Sequence, residues 1–250
     1  TAAMLKVGSV SEHSVRAPAN FPFIDREATN ERRRVEEARI KPVFDFDSTL
    51  SARVRDRVED SFEMARVRLP SVDDDSVEES MASIRSDFLQ MLDLSLDGDT
   101  MDRVVAKGFS LEIESLAKEL IAQELIRFII ADRSLLPDKQ RTITVVRMLQ
   151  DSRDEITLDE FSKIVTSQEA RRAIKMAAFD VAPEDMSVDA RLAAVAIAQA
   201  TVRSNFSYNQ LLTEDRRRMA RDEVPDVIMQ VQRGTTIVRE GEVVTPAQVE

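Results

Sequence analysis

The chain has 250 residues, of which 43% are hydrophobic and 32% are charged, a balance typical of a soluble globular protein. Its formal net charge of −11 repels nucleic-acid phosphates, which excludes a general nucleic-acid partner. Because there is no cysteine, disulfide bonds and thiolate metal sites are excluded as well. The longest stretch without a charged residue covers residues 192–202 and is too short to span a bilayer.

The N-terminal part of the chain predicts a strand, a helix and a second strand. Residues 21–24 form a short apolar segment, in which a proline excludes a helix. Asp25 or Thr29 then caps a helix that continues to about residue 39. Lys41-Pro42 ends this helix. Residues 43–47 alternate apolar and polar side chains, which predicts a half-buried strand.

The segment 48–203 is predicted to be mainly helical. Three aspartates at 73–75 predict a loop, and Ser76 with Glu79 forms a capping box after it. A β-branched run predicts a strand at 141–146, and Thr157 with Glu160 predicts a further helix start. Apolar spacing and capping residues predict helices over residues 48–69, 76–94, 99–108, 110–132, 167–179 and 186–202.

The helix predicted over residues 110–132 has the strongest pattern in the chain. Its apolar residues recur at helical spacing and fall on one broad face, which indicates a helix packed in the core. These residues are Ile113, Leu116, Leu120, Ile121, Leu125, Phe128 and Ile129.

The last part of the chain repeats the organisation of the first part. Residues 205–208 begin it, and a basic helix with Thr213 in its first turn follows. Residues 227–232 and 235–244 predict a pair of strands punctuated by Gly234 and Gly241. Residues 245–248 have the pattern of a capping box, so a further helix is predicted to begin there.

Residue correspondences make this repeat specific. At a nearly constant offset, the pairs are Asn20 with Asn205, Thr29 with Thr213, Arg32-Arg33-Arg34 with Arg216-Arg217-Arg218, and Val43 with Val227. A repeated unit of this size needs a partner to bury its apolar face, so the two copies are expected to pack together.

The predicted fold class is therefore α+β, mostly α-helical, with a small β-containing platform formed by the N- and C-terminal segments. We expect residues 1–47 and 204–250 to form this platform, with both repeat copies in it. Residues 48–203 would be a helical insertion of a size that suits a second domain.

No set of residues in the sequence specifies a catalytic or metal site. His13 is the only histidine, which is too few for a zinc site or a Ser-His-Asp triad. The residues from Asp93 to Asp99 resemble a calcium loop, but the twelfth position is Val104, where a bidentate glutamate is required. We therefore expect no cofactor, no metal and no catalytic residue in this chain.

The two arginine clusters leave two interpretations open. If the copies pack together, Arg32–Arg34 and Arg216–Arg218 would form an anion pocket, since guanidinium groups bind carboxylates and phosphates in two-pronged pairs. Alternatively, they lie on exposed helix faces and pair with neighbouring carboxylates, as charge runs on helices usually do. The carboxylates available for such pairs are Glu31, Glu36, Asp215 and Asp222.

The two ends of the chain carry a set of motifs in a fixed order. The N-terminal motifs are Gly8-Ser9-Val10, Val15-Arg16-Ala17-Pro18, Asp25 with Thr29 and Arg33, and Pro42-Val43-Phe44-Asp45. The C-terminal motifs are residues 205–209, Thr213 with Arg217 and Ala220, Gly234, and residues 237–245. Together these motifs resemble a known family, the extracellular domain of bacterial seven-transmembrane HD-type phosphohydrolases.

This resemblance implies an extracytoplasmic domain held between the first two transmembrane helices of a membrane protein. In that family a separate cytoplasmic HD domain hydrolyses a cyclic dinucleotide, cyclic di-AMP in characterised relatives. The chain would then be a non-catalytic sensor of a small molecule or an envelope protein, adjacent to transmembrane helices. A homo-oligomer is left open. Arg33, Tyr208 and Arg217, at the expected seam between the copies, are the predicted ligand-binding residues. The alternative function is a structural or protein-interaction module of a cell-envelope assembly, which would bind through the edge of the C-terminal strands.

Overall fold

A computed structural model of the chain describes residues 6–69, 77–137, 142–149, 152–245 and 248–249. It confirms an α+β protein, with 53% helix and 18% strand. The chain divides into two compact units: a smaller unit of residues 1–40 and 214–250, and a larger unit of residues 41–213. The predicted loop at 73–75, Ser76, and residues 246–247 of the last predicted cap lie outside the described residues.

The described residues contain ten strands and eight α-helices. The strands are β1 (Val15–Arg16), β2 (Phe21–Ile24), β3 (Val43–Asp47), β4 (Phe128–Ile130), β5 (Ile143–Met148), β6 (Arg153–Leu158), β7 (Ile164–Thr166), β8 (Phe206–Tyr208), β9 (Ile228–Val231) and β10 (Thr236–Val238). The helices are α1 (Arg26–Arg39), α2 (Leu50–Arg68), α3 (Val77–Leu92), α4 (Gly98–Ala106), α5 (Leu111–Glu124), α6 (Ser167–Val181), α7 (Val188–Thr201) and α8 (Gln210–Asp222).

The larger unit is built on a six-stranded sheet of order β6-β5-β3-β8-β4-β7. At its centre, β3 pairs in parallel with β5 and antiparallel with β8. The rings of Phe44 and Phe206 stack with their centroids 4.9 Å apart, inside an apolar cluster that also includes Ile143 and Val145. β3 and β8, which come from the two ends of the predicted insertion, therefore pair with each other at the centre of the sheet and are flanked on both sides by strands of the segment between them.

A second apolar cluster fills the space between the helices of the larger unit. Phe62 of α2, Phe88 of α3 and Phe109 are all fully buried, and their rings contact one another. The alanines of α7 are buried against α5, because small side chains allow two helices to approach closely. The helix predictions for residues 48–69, 76–94, 99–108, 167–179 and 186–202 are confirmed to within a few residues.

The helix predicted over residues 110–132 is wrong in its last third, which forms β4 instead. Asn205 explains the difference. Its side-chain amide donates to the carbonyls of Leu125 and Arg127, both at 2.9 Å, and its side-chain oxygen accepts from the N–H of Ile129 at 2.8 Å. These bonds come from a residue about 80 positions away, so local apolar spacing could not show them.

The helix start predicted at Thr157 and Glu160 is also wrong. Thr157 lies in β6, opposite Thr144 of β5, and the two strands pair antiparallel along six residues each. A single 3-10 turn, Phe161–Lys163, is all the helical structure that follows before β7. The pairing of β6 with β5 outweighs the local capping pattern.

In the smaller unit, the N-terminal and C-terminal segments form one long antiparallel ladder. β1 pairs with β10, and β2 pairs with β9. Between and beyond these strands the N–H groups of Gly8, Ser11 and Ala17 donate to carbonyls of the C-terminal segment at 2.8–2.9 Å. The two ends of the described chain therefore lie side by side, as the repeat predicts. β9 and β10 do not pair with each other, contrary to the strand pair predicted around Gly234.

The two repeat copies are interleaved: each copy pairs its first strand with the second strand of the other copy, which the sequence did not predict. β2 of the first copy pairs with β9 of the second in the smaller unit, and β8 of the second copy pairs with β3 of the first in the larger unit. Both pairs are antiparallel: Ile24, five residues before Thr29, lies opposite Ile228, and Tyr208, five residues before Thr213, lies opposite Phe44. Each unit therefore contains one strand of each copy.

A threonine hydroxyl in each helix fixes this exchange. In the smaller unit, Oγ1 of Thr29 donates to the carbonyl of Asp25 at 2.6 Å and accepts from the N–H of Val227 at 2.9 Å. In the larger unit, Oγ1 of Thr213 donates to the carbonyl of Asn209 at 2.7 Å and accepts from the N–H of Val43 at 3.0 Å. Each threonine thus ties a helix of one copy to a strand of the other.

Replacing either threonine with valine keeps the side-chain shape and removes both hydrogen bonds. Because Thr29 and Thr213 are 2% and 0% exposed, each change leaves a backbone N–H without its partner. We expect each to lower the free energy of unfolding by about 1–3 kcal/mol. Chemical denaturation of both variants measures this, with Thr245→Val, at an exposed position, as the control. A cost near zero for both variants would contradict the role of the hydroxyls.

The unit boundaries differ from the predicted domain boundaries. The compact units divide the chain after residues 40 and 213, whereas the sequence analysis placed the divisions after residues 47 and 203. The difference arises because β3 and β8 pair with β5 and β4 of the intervening segment. Within the described residues, no helix has both the length and the apolar character needed to cross a membrane.

Candidate functional site

An open cleft of about 830 Å³ lies in the smaller unit, between α1 and the end of α8. Its apolar lining comes from Ala28 and Val35 of α1, and from Ala220, Val224 and Pro225 at and after the end of α8. The volume falls within the range of small-molecule sites, which are concave and mainly apolar. Val35 is 43% exposed, so an apolar ligand would find open apolar surface there.

The rim of the cleft carries charges of both signs. Glu36 forms an ion pair with Arg39 at 2.5 Å, which neutralises both. Arg32 and Glu223 also line the cleft, and neither has an ion-pair partner among the residues that the structure describes. Within the described residues, the guanidinium of Arg32 and the carboxylate of Glu223 are therefore free to bind a charged ligand beside an apolar surface.

The elements that line the cleft also hold the ladder of the chain ends. α1 begins directly after β2, with Asp25 as its N-terminal cap. Pro225 lies three residues before β9, which pairs with β2. The N–H of Asp25 donates to the carbonyl of Val227 at 2.8 Å, between the cleft and the ladder. A change in the distance between α1 and residues 220–225 would therefore alter the pairing of β2 with β9.

The sequence signal for this cleft is a stripe on α1. Ala28, Arg32, Val35 and Arg39 recur at helical spacing on one side, and Val35 stays exposed. An exposed valine between two arginines is a weak pattern by itself. The residues of the other wall, within 220–225, lie almost 200 positions further along the chain. The cleft was therefore not predicted.

The structure places the three predicted ligand-binding residues in different surroundings. Arg33 and Arg217 belong to the smaller unit, and Tyr208 belongs to the larger one. Arg33 forms an ion pair with Asp226 at 3.2 Å, and Arg217 pairs with Glu214 at 3.0 Å. Tyr208 lies in β8 with its ring 5.4 Å from the ring of Phe44, measured between centroids.

Arg34 and Arg218 of the clusters, and the nearby Arg39 and Arg221, have the carboxylate partners that the second interpretation proposed. The pairs are Arg34 with Glu31, Arg39 with Glu36, Arg218 with Asp215 and Arg221 with Asp222. Exposed ion pairs of this kind are typical of a solvated helix face and contribute little to stability.

The segment that resembles a calcium loop has other contacts. The carboxylate of Asp93 is 3.2 Å from Arg57 and 3.1 Å from Arg203. Arg203 and Arg57 together hold the pKa of Asp93 below its ordinary value. Asp97 caps α4 by accepting from the N–H of Thr100. Two guanidinium groups at this carboxylate repel a cation, and the described residues contain no group of three potential metal ligands.

The buried carboxylates of the larger unit are structural. Glu114 of α5 is 5% exposed and lies 2.7 Å from Arg66 and 3.4 Å from Lys118. Burial raises the pKa of Glu124, and the nearby Arg127 at 2.7 Å opposes this effect. Each buried acid is paired with a cation on a neighbouring turn or helix, so none is aligned with a nucleophile or a second acid in the way that catalysis requires.

A family model described as 7TM-HD extracellular matches residues 6–250, almost the whole chain. The chain belongs to this family. The resemblance seen at its two ends is thereby confirmed and extends over both units. No curated protein and no solved structure matches the chain.

Membership places the chain outside the cytoplasm, as the extracellular domain of a 7TM-HD protein.

Proposed function

We propose that this chain is the ligand-binding sensor of a membrane-anchored HD phosphohydrolase, tethered by transmembrane helices that flank it. It carries no catalytic step itself. It regulates the hydrolysis of a cyclic dinucleotide, cyclic di-AMP, by a cytoplasmic HD domain of the same protein. The observation that carries this proposal is that one small unit contains both an open cleft and the ladder that joins the two chain ends.

The mechanism follows from that connection. A ligand shifts an equilibrium only by binding one arrangement more tightly than another. A ligand in the cleft contacts α1 and residues 220–225, whose spacing is coupled to β2 and β9 through Asp25 and Val227. Binding would therefore favour one register or separation of the ladder strands. Since the ladder continues to Gly8 and Val244, this change reaches the ends that lead to the membrane helices.

The cleft indicates the chemical class of the ligand. Its apolar surface suits a molecule with a hydrocarbon or aromatic body. Arg32 would bind a carboxylate or phosphate group, and Glu223 would bind an ammonium group. A small zwitterion with an apolar body, such as an apolar amino acid or a short peptide, would contact the apolar surface, Arg32 and Glu223 together.

The experiment is a thermal-shift screen of the purified chain against amino acids, dipeptides and small organic acids. A ligand that binds only the folded state raises the melting temperature as its concentration increases. Val35→Trp fills the cleft and should abolish the shift. Val67→Trp, on α2 and 69% exposed, is the matched control and should keep it.

Two results would contradict the proposed site. One is a ligand whose shift is the same in Val35→Trp and in the unaltered chain. The other is the absence of any shift across the screen, which would favour the alternative function as a structural or interaction module of an envelope assembly.

Arg33, Tyr208 and Arg217 remain a separate predicted ligand site. Arg33→Ala and Arg217→Ala together remove two ion pairs, with Asp226 and Glu214. If this site binds the ligand, the double variant should weaken binding at least tenfold, about 1.4 kcal/mol. Unchanged affinity in a titration would reject these residues and leave the cleft as the candidate.

A further inference from the structure

The smaller unit buries few apolar side chains for its size. Among its described residues the buried apolar side chains are Ala17, Val238 and Val244. By contrast, Ile228 and Met229 of β9 are 65% and 50% exposed. Small units with little core depend on a partner surface for stability.

β9 has a free edge in the part of the chain that the structure describes, where it pairs with β2 alone. The N–H of Asp25 donates to the carbonyl of Val227, so these two residues form a hydrogen-bonded pair. Hydrogen-bonded and non-hydrogen-bonded pairs alternate along an antiparallel ladder. The N–H and C=O groups of Ile228 and Gln230 therefore point away from β2, toward the free edge.

The opposite edge of the same ladder is protected. Pro22 of β2 lies opposite Gln230, so by the same alternation its nitrogen points outward from the ladder. Proline has no N–H to donate, and a proline on the outer side of an edge strand prevents another strand from pairing there. The ladder therefore has one open edge, formed by β9.

The repeat shows what the open edge can accept. β3 is the counterpart of β9, since Val43 corresponds to Val227 and each strand begins at or directly after the residue bound to its threonine. In the larger unit the corresponding edge of β3 is covered by β5 along five residue pairs. Phe44, the counterpart of Ile228, is fully buried there. The same edge in the smaller unit is uncovered.

Charge indicates that a second copy of this chain can reach this edge. The larger unit has 22 basic and 32 acidic residues, a net charge of −10, whereas the smaller unit has 13 basic and 14 acidic residues, a net charge of −1. Two copies repel each other through their larger units and not through their smaller ones. β9 itself contains no charged residue, and edge strands that avoid pairing usually carry charges.

We infer that two copies of this chain pair through the open edge of β9. Two identical strands related by a two-fold axis run antiparallel. The register that places Ile228 opposite Gln230 of the second copy uses the outward groups of both residues, so we place the axis beside Met229. The result is a four-stranded sheet of order β2-β9-β9-β2, in which the side chains of Ile228 and Met229 gain neighbours on the adjoining strand. This inference does not depend on the proposed sensor role.

The absence of cysteine in the chain gives a direct test by cross-linking. In this register Met229 lies beside Met229 of the second copy as a non-hydrogen-bonded pair, about 4.5 Å apart between Cα atoms. That distance allows a disulfide. Met229→Cys should therefore form a disulfide-linked dimer under mild oxidation.

Ile24→Cys is the matched control, because Ile24 is 47% exposed and lies in the same ladder. In the dimer the Ile24 residues of the two chains lie on the two outer strands, three strand spacings or about 14 Å apart, which is too far for a disulfide. We expect Met229→Cys to cross-link at least about tenfold faster than Ile24→Cys, because only its thiols meet the distance limit. Equal rates would overturn the inference.

Sedimentation of the unaltered chain gives the second readout, with a concentration-dependent dimer as the expected result. Gln230→Pro removes the outward N–H and should give a monomer, whereas Gln230→Ala should remain a dimer. Circular dichroism shows whether Gln230→Pro is folded. If it is not, the cross-linking rates of Met229→Cys and Ile24→Cys decide whether β9 pairs with β9. A chain that is monomeric at all concentrations, or a dimer that Met229→Cys does not cross-link, would overturn the inference.

Discussion

Replacing Asn205 with alanine is expected to lower the free energy of unfolding by about 3–6 kcal/mol. Asn205 is 5% exposed, and its side chain makes three hydrogen bonds to the backbone between α5 and β4. Alanine would leave the carbonyls of Leu125 and Arg127 and the N–H of Ile129 without these partners. Each buried group without a partner costs about 1–3 kcal/mol.

The repeat supplies the matched control for this change. Asn20 corresponds to Asn205, but it is exposed, and its side chain accepts a hydrogen bond from the N–H of Arg233 at 2.7 Å. We expect Asn20→Ala to cost less than about 1 kcal/mol, since water can replace the lost partner. Urea denaturation followed by circular dichroism measures both variants. Equal costs would contradict the assignment of Asn205 as the residue that sets the end of α5.

Phe62→Ala should lower the free energy of unfolding by about 3–5 kcal/mol. The ring of Phe62 is fully buried in the helical part of the larger unit. Its centroid lies 5.1 Å from that of Phe88 and 6.3 Å from that of Phe109, with edge-to-face geometry in both pairs. Removing the ring loses its transfer free energy and leaves a cavity between α2 and α3.

Phe179→Ala is the control for Phe62→Ala, because Phe179 lies on α6 and is 66% exposed. Its loss should change the free energy of unfolding by less than about 0.5 kcal/mol, as is usual for exposed positions. Thermal unfolding of both variants, compared with the unaltered chain, tests the difference. Similar melting temperatures for the two variants would contradict the central position of the phenylalanine cluster.

The sequence predicted the helices of the larger unit well, because their apolar spacing and capping residues are local signals. β4 was missed, since Phe128 and Ile129 continue the helical spacing of α5 and only Asn205, far along the chain, separates them from it. β6 was missed for the same reason at Thr157, whose partner Thr144 lies in another strand. Pairing between distant segments decided both cases.

The repeat was predicted from residue correspondences, and its packing was only partly predictable. The match of Thr29 with Thr213 indicated two equivalent repeat copies, and both hydroxyls make equivalent hydrogen bonds. The exchange of strands could not be inferred, because two copies can pair within themselves or with each other and have the same sequence pattern. The cleft depends on residues 220–225 meeting α1, which is a consequence of that exchange.

The measurement that tests the proposed sensor role most directly is the rate at which the full-length protein, in membranes, hydrolyses cyclic di-AMP, its proposed substrate. The account predicts that filling the cleft with Val35→Trp changes this rate, because the cleft is coupled to the ladder of the chain ends. Val67→Trp, equally bulky and exposed on α2, should leave the rate unchanged. If Val35→Trp and Val67→Trp both hydrolyse at the rate of the unaltered protein, the cleft does not regulate the enzyme and the account is contradicted.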